Sequence, residues 1–221
     1  MIKDLIQVRT LSLVFLGDLN PVIVQPFWLA EKKLIKEQEA VGINVELIHN
    51  ELVKYELSWT SVEITKKRFE LRTSKEPYFD PLKDLLISIF SILNETPINA
   101  LGINHIFHIG LPDKERYYEF GNKLSPLKIW DEILSNPRVL QFEITEESRK
   151  DGLPGYLRLK INPSDQKIQH GVSININDHY SLQPGATGRK GELLTTLKEN
   201  WVLSNNRASE IVEKLWDKIY R

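Results

Sequence analysis

Two β-rich runs, Ile98 to Gly110 and Ile168 to Tyr180, constrain this chain more than anything else in it. Both are too rich in β-formers, and the first too glycine-interrupted, to settle as helices, and each is followed by a helix signal. Each holds a polar pair, Asn104-His105 and Asp178-His179, against apolar neighbours. Successive side chains of a strand point to opposite faces, so each pair is predicted to splay, one member to either side of a sheet.

The rest of the chain organises around these runs. Leu11 to Leu16 is a short apolar run closed by Gly17-Asp18 and reads as a strand. Pro26 opens a predicted helix that carries Trp28, Leu29, Lys32, Lys33 and Glu37 to about Ala40, with Gly42 as its stop. Tyr55 to Trp59, Val62 to Ile64 and Arg68 to Arg72 then alternate, and Lys66-Lys67 between the last two predicts a hairpin with Val62, Ile64, Phe69 and Leu71 on its core face. Asp80-Pro81 starts the clearest helix: Leu82, Leu85, Leu86, Ile89, Phe90 and Leu93 make one apolar stripe, and Pro97 forbids continuation.

Beyond Pro97 the order recurs. After the Ile98 run, Pro112-Asp113 introduces a helix with Tyr117, Phe120 and Leu124, and a shorter piece from Pro126 to Leu134 holds Leu127, Trp130 and Leu134. Strands are predicted at Val139 to Thr145, Tyr156 to Ile161 and Val172 to Ile176. A loop with Pro184, Gly185, Gly188 and Gly191 leads to a long final helix bearing Leu194, Leu197, Trp201, Ser204, Ala208, Ile211 and Leu215, which Asn205-Asn206 could break. The expectation is an α+β chain of two similar lobes, 1–97 and 98–221, forming one intimate unit that shares an antiparallel sheet. That layout resembles the helix-grip class that includes the TATA-binding-protein fold, a likeness of architecture that carries no function.

Composition narrows the chemistry. Of 221 residues 41% are apolar and 27% charged, ordinary for a folded globular chain. There is no cysteine, which excludes disulfides, thiolate nucleophiles and sulfur-ligated zinc or iron–sulfur sites. Basic and acidic residues nearly balance, 29 against 30, where a phosphate-neutralising protein shows a basic excess. The clusters Lys66-Lys67-Arg68 and Arg189-Lys190 read as solvated turns. The N-terminus has an acidic residue at Asp4 and no apolar core of a secretory signal, and no apolar run approaches the ~20 residues of a membrane helix. A cytoplasmic protein with no membrane association and no cofactor is expected.

The candidate groups are few. His105 and His108, three apart on a strand, face opposite ways, which argues against a shared metal, and no metal site is expected. If chemistry occurs, its candidates are His105, Asp178, His179 and Glu143, which a metal-dependent or acid/base hydrolase would need in one cleft. Glu143, Glu146 and Glu147 beside Arg149, Lys150 and Asp151 read as a solvated turn. No serine sits in a nucleophile elbow, and Gly185 to Gly191 lacks the Gly-Lys-Ser/Thr ending of a phosphate loop, which leaves a flexible connection. Tyr156, Arg158 and Lys160 put an aromatic and two cations on one strand face, the pattern of a single-strand nucleic-acid platform.

Leu101-Gly102-Ile103-Asn104-His105, Leu124-Ser125-Pro126 with Trp130, and Val172 to Tyr180 together resemble a sporadically distributed group of bacterial proteins known mainly as uncharacterised open reading frames. The resemblance implies a bacterial cytoplasmic protein and transfers no site residue. The function expected is a non-enzymatic binding or assembly module that recognises a protein partner or forms a homo-oligomer. Nucleic-acid binding through the sheet is the alternative, and a hydrolase the third reading.

Overall fold

In the computed structural model, which describes residues 2–41, 43–125, 127–182 and 190–220, the Ile98 run becomes strand β6 (Ile98–Gly110) and pairs antiparallel with β1 (Ile6–Gly17). This pair is the middle of a nine-stranded antiparallel sheet. Outward from β1 lie β5 (Arg68–Thr73), β4 (Ser61–Thr65), β3 (Leu52–Glu56) and β2 (Asn44–Ile48). Outward from β6 lie β9 (Gly171–Ser181), β8 (Gly155–Pro163) and β7 (Phe142–Glu146). β1 is longer than its apolar run because it has two partners: β5 holds only Leu11 to Leu16, while β6 holds the strand from Ile6 to Gly17.

Period-two alternation sends Leu11, Leu13, Phe15, Leu101, Ile103, Phe69 and Leu71 to one face, where α3 (Phe79–Ile92) covers them. All of Leu82, Leu85, Leu86, Ile89 and Phe90 are buried, so the predicted stripe is the packed one. The Phe90 ring meets Phe15 and Phe69 edge-on, with centroids 4.8 and 5.1 Å apart. The final helix, α5 (Lys190–Tyr220), is unbroken over 31 residues, roughly 46 Å. Asn205 does not interrupt it, because its Nδ2 donates to Trp201 O at 2.8 Å within the same helix.

α5 bridges two apolar clusters. Leu193, Leu197 and Trp201 pack with the α3 side, and Ala208, Val212 and Ile219 pack with Phe107, Ile174, Ile176 and Leu159. Between them lies a polar seam. Buried His105 shares a 3.0 Å hydrogen bond between its Nε2 and Ser204 Oγ. The Arg9 guanidinium lies 5.2 Å from the Phe79 ring centroid and 5.1 Å from that of Phe107, and donates to Asn205 Oδ1. Trp201 Nε1 donates to Asp80 Oδ1 at 2.6 Å, tying α5 to α3.

Two local expectations give way. The single helix predicted from Pro26 to Ala40 is two, α1 (Pro26–Glu31) and α2 (Glu37–Val41), parted at Lys33 with φ 58°; its stop, Gly42, lies outside the described residues. Leu29 and Ile35 are six apart, about 120° off a common helix face, and the break lets both reach the core. The piece expected from Pro126 to Leu134 is one 3-10 turn, Leu127–Ile129, followed by exposed Trp130 and Leu134, because α4 (Lys114–Leu124) and α5 already cover that end of the sheet. Of the Gly185–Gly191 loop, all but the last two residues lie outside the described residues. No helix among those described is long and apolar enough to cross a membrane.

Candidate functional site

Helices occupy one face of the sheet, and the other face curves into an open groove of about 330 Å³. Strand register places its residues in rows across five strands. One row runs Arg72, Ser12, Asn104, Asn177, Arg158, and the next Glu70, Val14, Gly102, His179, Tyr156. A third runs Thr10, Ile106, Asn175, Lys160 and on to Glu143 of β7. Gly102 keeps the middle row deep: a Cβ there would meet nothing closer than Asn104 Nδ2 at 3.4 Å, so neither packing nor backbone demands glycine.

The groove's polar groups are held from beneath and beside. Ser12 donates to Glu70, whose other oxygen lies 2.5 Å from Arg68 Nη1. Asn104 Nδ2 donates to Ser12 O at 3.3 Å, and Asn175 Nδ2 donates to Ser173 Oγ at 3.0 Å. Asn177 Oδ1 is buried and has no hydrogen-bond partner among the described residues. Tyr156 and His179 stack at 4.4 Å with 14° between planes, and Arg158 lies 4.8 Å over Tyr156. Burial first, then Arg158 and Arg149, push the His179 pKa down, so the ring is neutral near pH 7. Arg158 is 3.3 Å from Glu143, whereas Arg72 and Lys160 have no carboxylate within 4.0 Å among the described residues.

The sequence candidates are distributed over both faces. His105 and Asp178 point under the helices; His179 and Tyr156 line the groove, and Glu143, Arg158 and Lys160 lie beside it on the same sheet face. The predicted splay of Asn104 from His105 and of Asp178 from His179 is therefore what the strands do. His105 is held neutral by burial and by Arg9, with its pKa pushed down to about 3. Among the described residues no three His, Asp or Glu side chains gather in a metal-holding arrangement. His108 shares a 2.8 Å bond with Ser164 and is buried.

Asp178 belongs to an ion cluster that the sequence concealed. Its Oδ1 lies 2.5 Å from Arg149 Nη1 and its Oδ2 accepts from Tyr180 Oη at 3.0 Å, while Arg149 also grips Asp151 and lies 4.0 Å over the Tyr180 ring. Arg207 of α5 joins through Asp151, 3.9 Å from its Nη1, and also bonds Glu146 of β7. The segment expected to be a solvated turn thus places a guanidinium only 1% exposed inside the protein. Burial opposes that charge, but hydrogen bonds to Asp151 and Asp178 outweigh it and raise the Arg149 pKa. The same bond to Arg149 holds Asp151 below its usual range. A carboxylate on the core face of β9, between Ile176 and Tyr180, was the available signal, because a buried charge needs a partner.

The groove residues missed from sequence are Ser12, Glu70, Asn175 and Asn177; Asn104 stood out only for its splay from His105, and Arg68 only as part of a charged turn. Only strand register brings them together. Compared with protein-family models and with curated proteins, the chain matches none.

Proposed function

We propose that this is a soluble cytoplasmic binding module that holds an extended polypeptide, from a partner or a second copy, in the open groove of its sheet. Two similar lobes, each a strand, a helical segment, a meander and a long helix, would form the helix-grip layout of the TATA-binding-protein class, in a bacterial protein of the group it resembles. The observation that carries the reading is the row Ser12, Asn104, Asn177 on the open face, with an acceptor at Asn177 Oδ1 that has no hydrogen-bond partner among the described residues. A buried polar atom without a partner costs about 1–3 kcal/mol, and a peptide N–H laid along this row, with the Asn177 amide turned toward it, is the donor this reading calls for. Amides offer donors and acceptors together, the complement of a backbone, and the charges lining the groove, Arg68 and Glu70, already neutralise each other.

The test is selection of linear peptides from a displayed random library on the immobilised full chain, repeated with Asn177→Leu. Peptides that lose at least tenfold in affinity on that variant, at unchanged unfolding midpoint, support the reading. A library yielding no peptide sensitive to Asn177 refutes it, and sedimentation of the free chain reports whether a second copy is the occupant.

A second reading, single-stranded nucleic acid, is favoured by the Tyr156–His179 stack with Arg158 over Tyr156, and by Lys160 and Arg72 on the same sheet face. Three phosphate contacts predict a slope near −2 in log affinity against log salt. An oligonucleotide titration at two salt concentrations separates the readings, and absence of binding at low salt removes this one.

A further inference from the structure

On the helix-covered side, at the end of the sheet, a second cavity of about 320 Å³ opens between α4, the segment leading into β7, and the edge of β8. Its floor is apolar, made by Phe120, Leu124, Phe142, Ile161 and Val172. The volume falls within the usual range of small-molecule sites.

Two further features give the cavity a chemistry. Gly121 lies inside α4, where glycine disfavours helix. A Cβ at Gly121 would meet only Val139, at 3.5 Å and 3.6 Å, ordinary contacts. Packing therefore does not require glycine there; what its missing side chain provides is open space in the cavity. At the rim, the Arg138 guanidinium stacks 4.5 Å over Tyr118, and Lys114 lies 5.6 Å from the same ring. Arg138 donates one hydrogen bond, to Pro137 O at 2.9 Å. Neither cation has a carboxylate within 4.0 Å among the described residues. An apolar floor under an unpaired planar guanidinium matches a hydrocarbon body with one carboxylate head, since the guanidinium fork pairs with a carboxylate bidentately.

We propose that this cavity binds a small amphipathic monocarboxylate, its hydrocarbon chain on Phe120, Phe142 and Ile161 and its carboxylate on Arg138. The site does not draw on the groove, so either can fail without the other.

The test is isothermal titration of the full chain with straight-chain carboxylates from hexanoate to decanoate, and with decanol and decylamine. Affinity is expected to rise about fourfold per added CH₂ until the cavity is full. Arg138→Met should weaken decanoate at least tenfold and leave decanol unchanged, while Gly121→Leu, which favours helix and fills the cavity, should weaken both. No binding of decanoate, equal affinity for decylamine, an acid-to-alcohol ratio unmoved by Arg138→Met, or undiminished binding by a folded Gly121→Leu variant would each overturn the proposal.

Discussion

Replacing His105 by glutamine is expected to remove a pH dependence of stability between about pH 7 and pH 5. The imidazole is 0% exposed, its Nε2 is engaged by Ser204, and its Nδ1 has no partner among the described residues. Protonation would place a cation in the seam beside Arg9, and burial together with that charge holds the pKa to about 3 against an ordinary 6.5. The folded value lies below the unfolded one, so the unfolded chain takes up a proton as pH falls through about 6.5 and the folded chain does not. Stability is therefore complete above that pH and declines by up to about 1.4 kcal/mol per unit below it, until the folded group itself titrates. Integrated from pH 7 to pH 5 the loss is about 2 kcal/mol, equivalent to about 4–8 °C in Tm for a chain of this size. His108 and His179, whose pKa values burial also lowers, contribute with the same sign. The informative quantity is thus the difference between wild type and His105→Gln, measured by urea unfolding at closely spaced pH. Parallel stability curves for the two proteins would refute a buried neutral imidazole.

Asp178→Ala leaves the Arg149 guanidinium short of a carboxylate and is expected to cost about 3 kcal/mol in thermal unfolding; Arg149→Met combined with Asp178→Leu should recover most of it, and a single-variant loss below about 1 kcal/mol would show the pair to be solvated. Gly121→Ala adds helix propensity without a clash and should raise the urea midpoint by an amount equal to about 0.5–1 kcal/mol. Lys33→Gly relieves a left-handed backbone at φ 58° and should stabilise by about 1 kcal/mol; a destabilised variant would mean that the Lys33 side chain holds the α1–α2 corner.

Much of the fold was legible because periodicity reports burial directly. Leu82 to Phe90 could serve only a helix on a sheet, and Ile98 to Gly110 only a strand with a covered face, so α3 and β6 lie where the pattern put them. The α1–α2 break was not legible, because the positions of Leu29 and Ile35 are decided by the core they enter. The site was hidden for a related reason. Ser12, Glu70 and Asn177 are far apart in sequence and individually unremarkable, and Asn104 stood out only as one of a polar pair; register alone aligns them. Tyr156, Arg158 and Lys160 could be seen as one face because a single strand carries all three. Arg149 was misread because a charged turn ordinarily faces water, while its partner Asp178 had been treated as a candidate for chemistry.

The order of elements along the chain has a consequence for biogenesis. α5 follows all nine strands, yet it shields both apolar clusters and supplies Ser204, Asn205 and Arg207 to partners on β1, β6 and β7. Until those residues leave the ribosome the part of the sheet that α5 covers stands bare, so closure of this fold waits for the synthesis of α5.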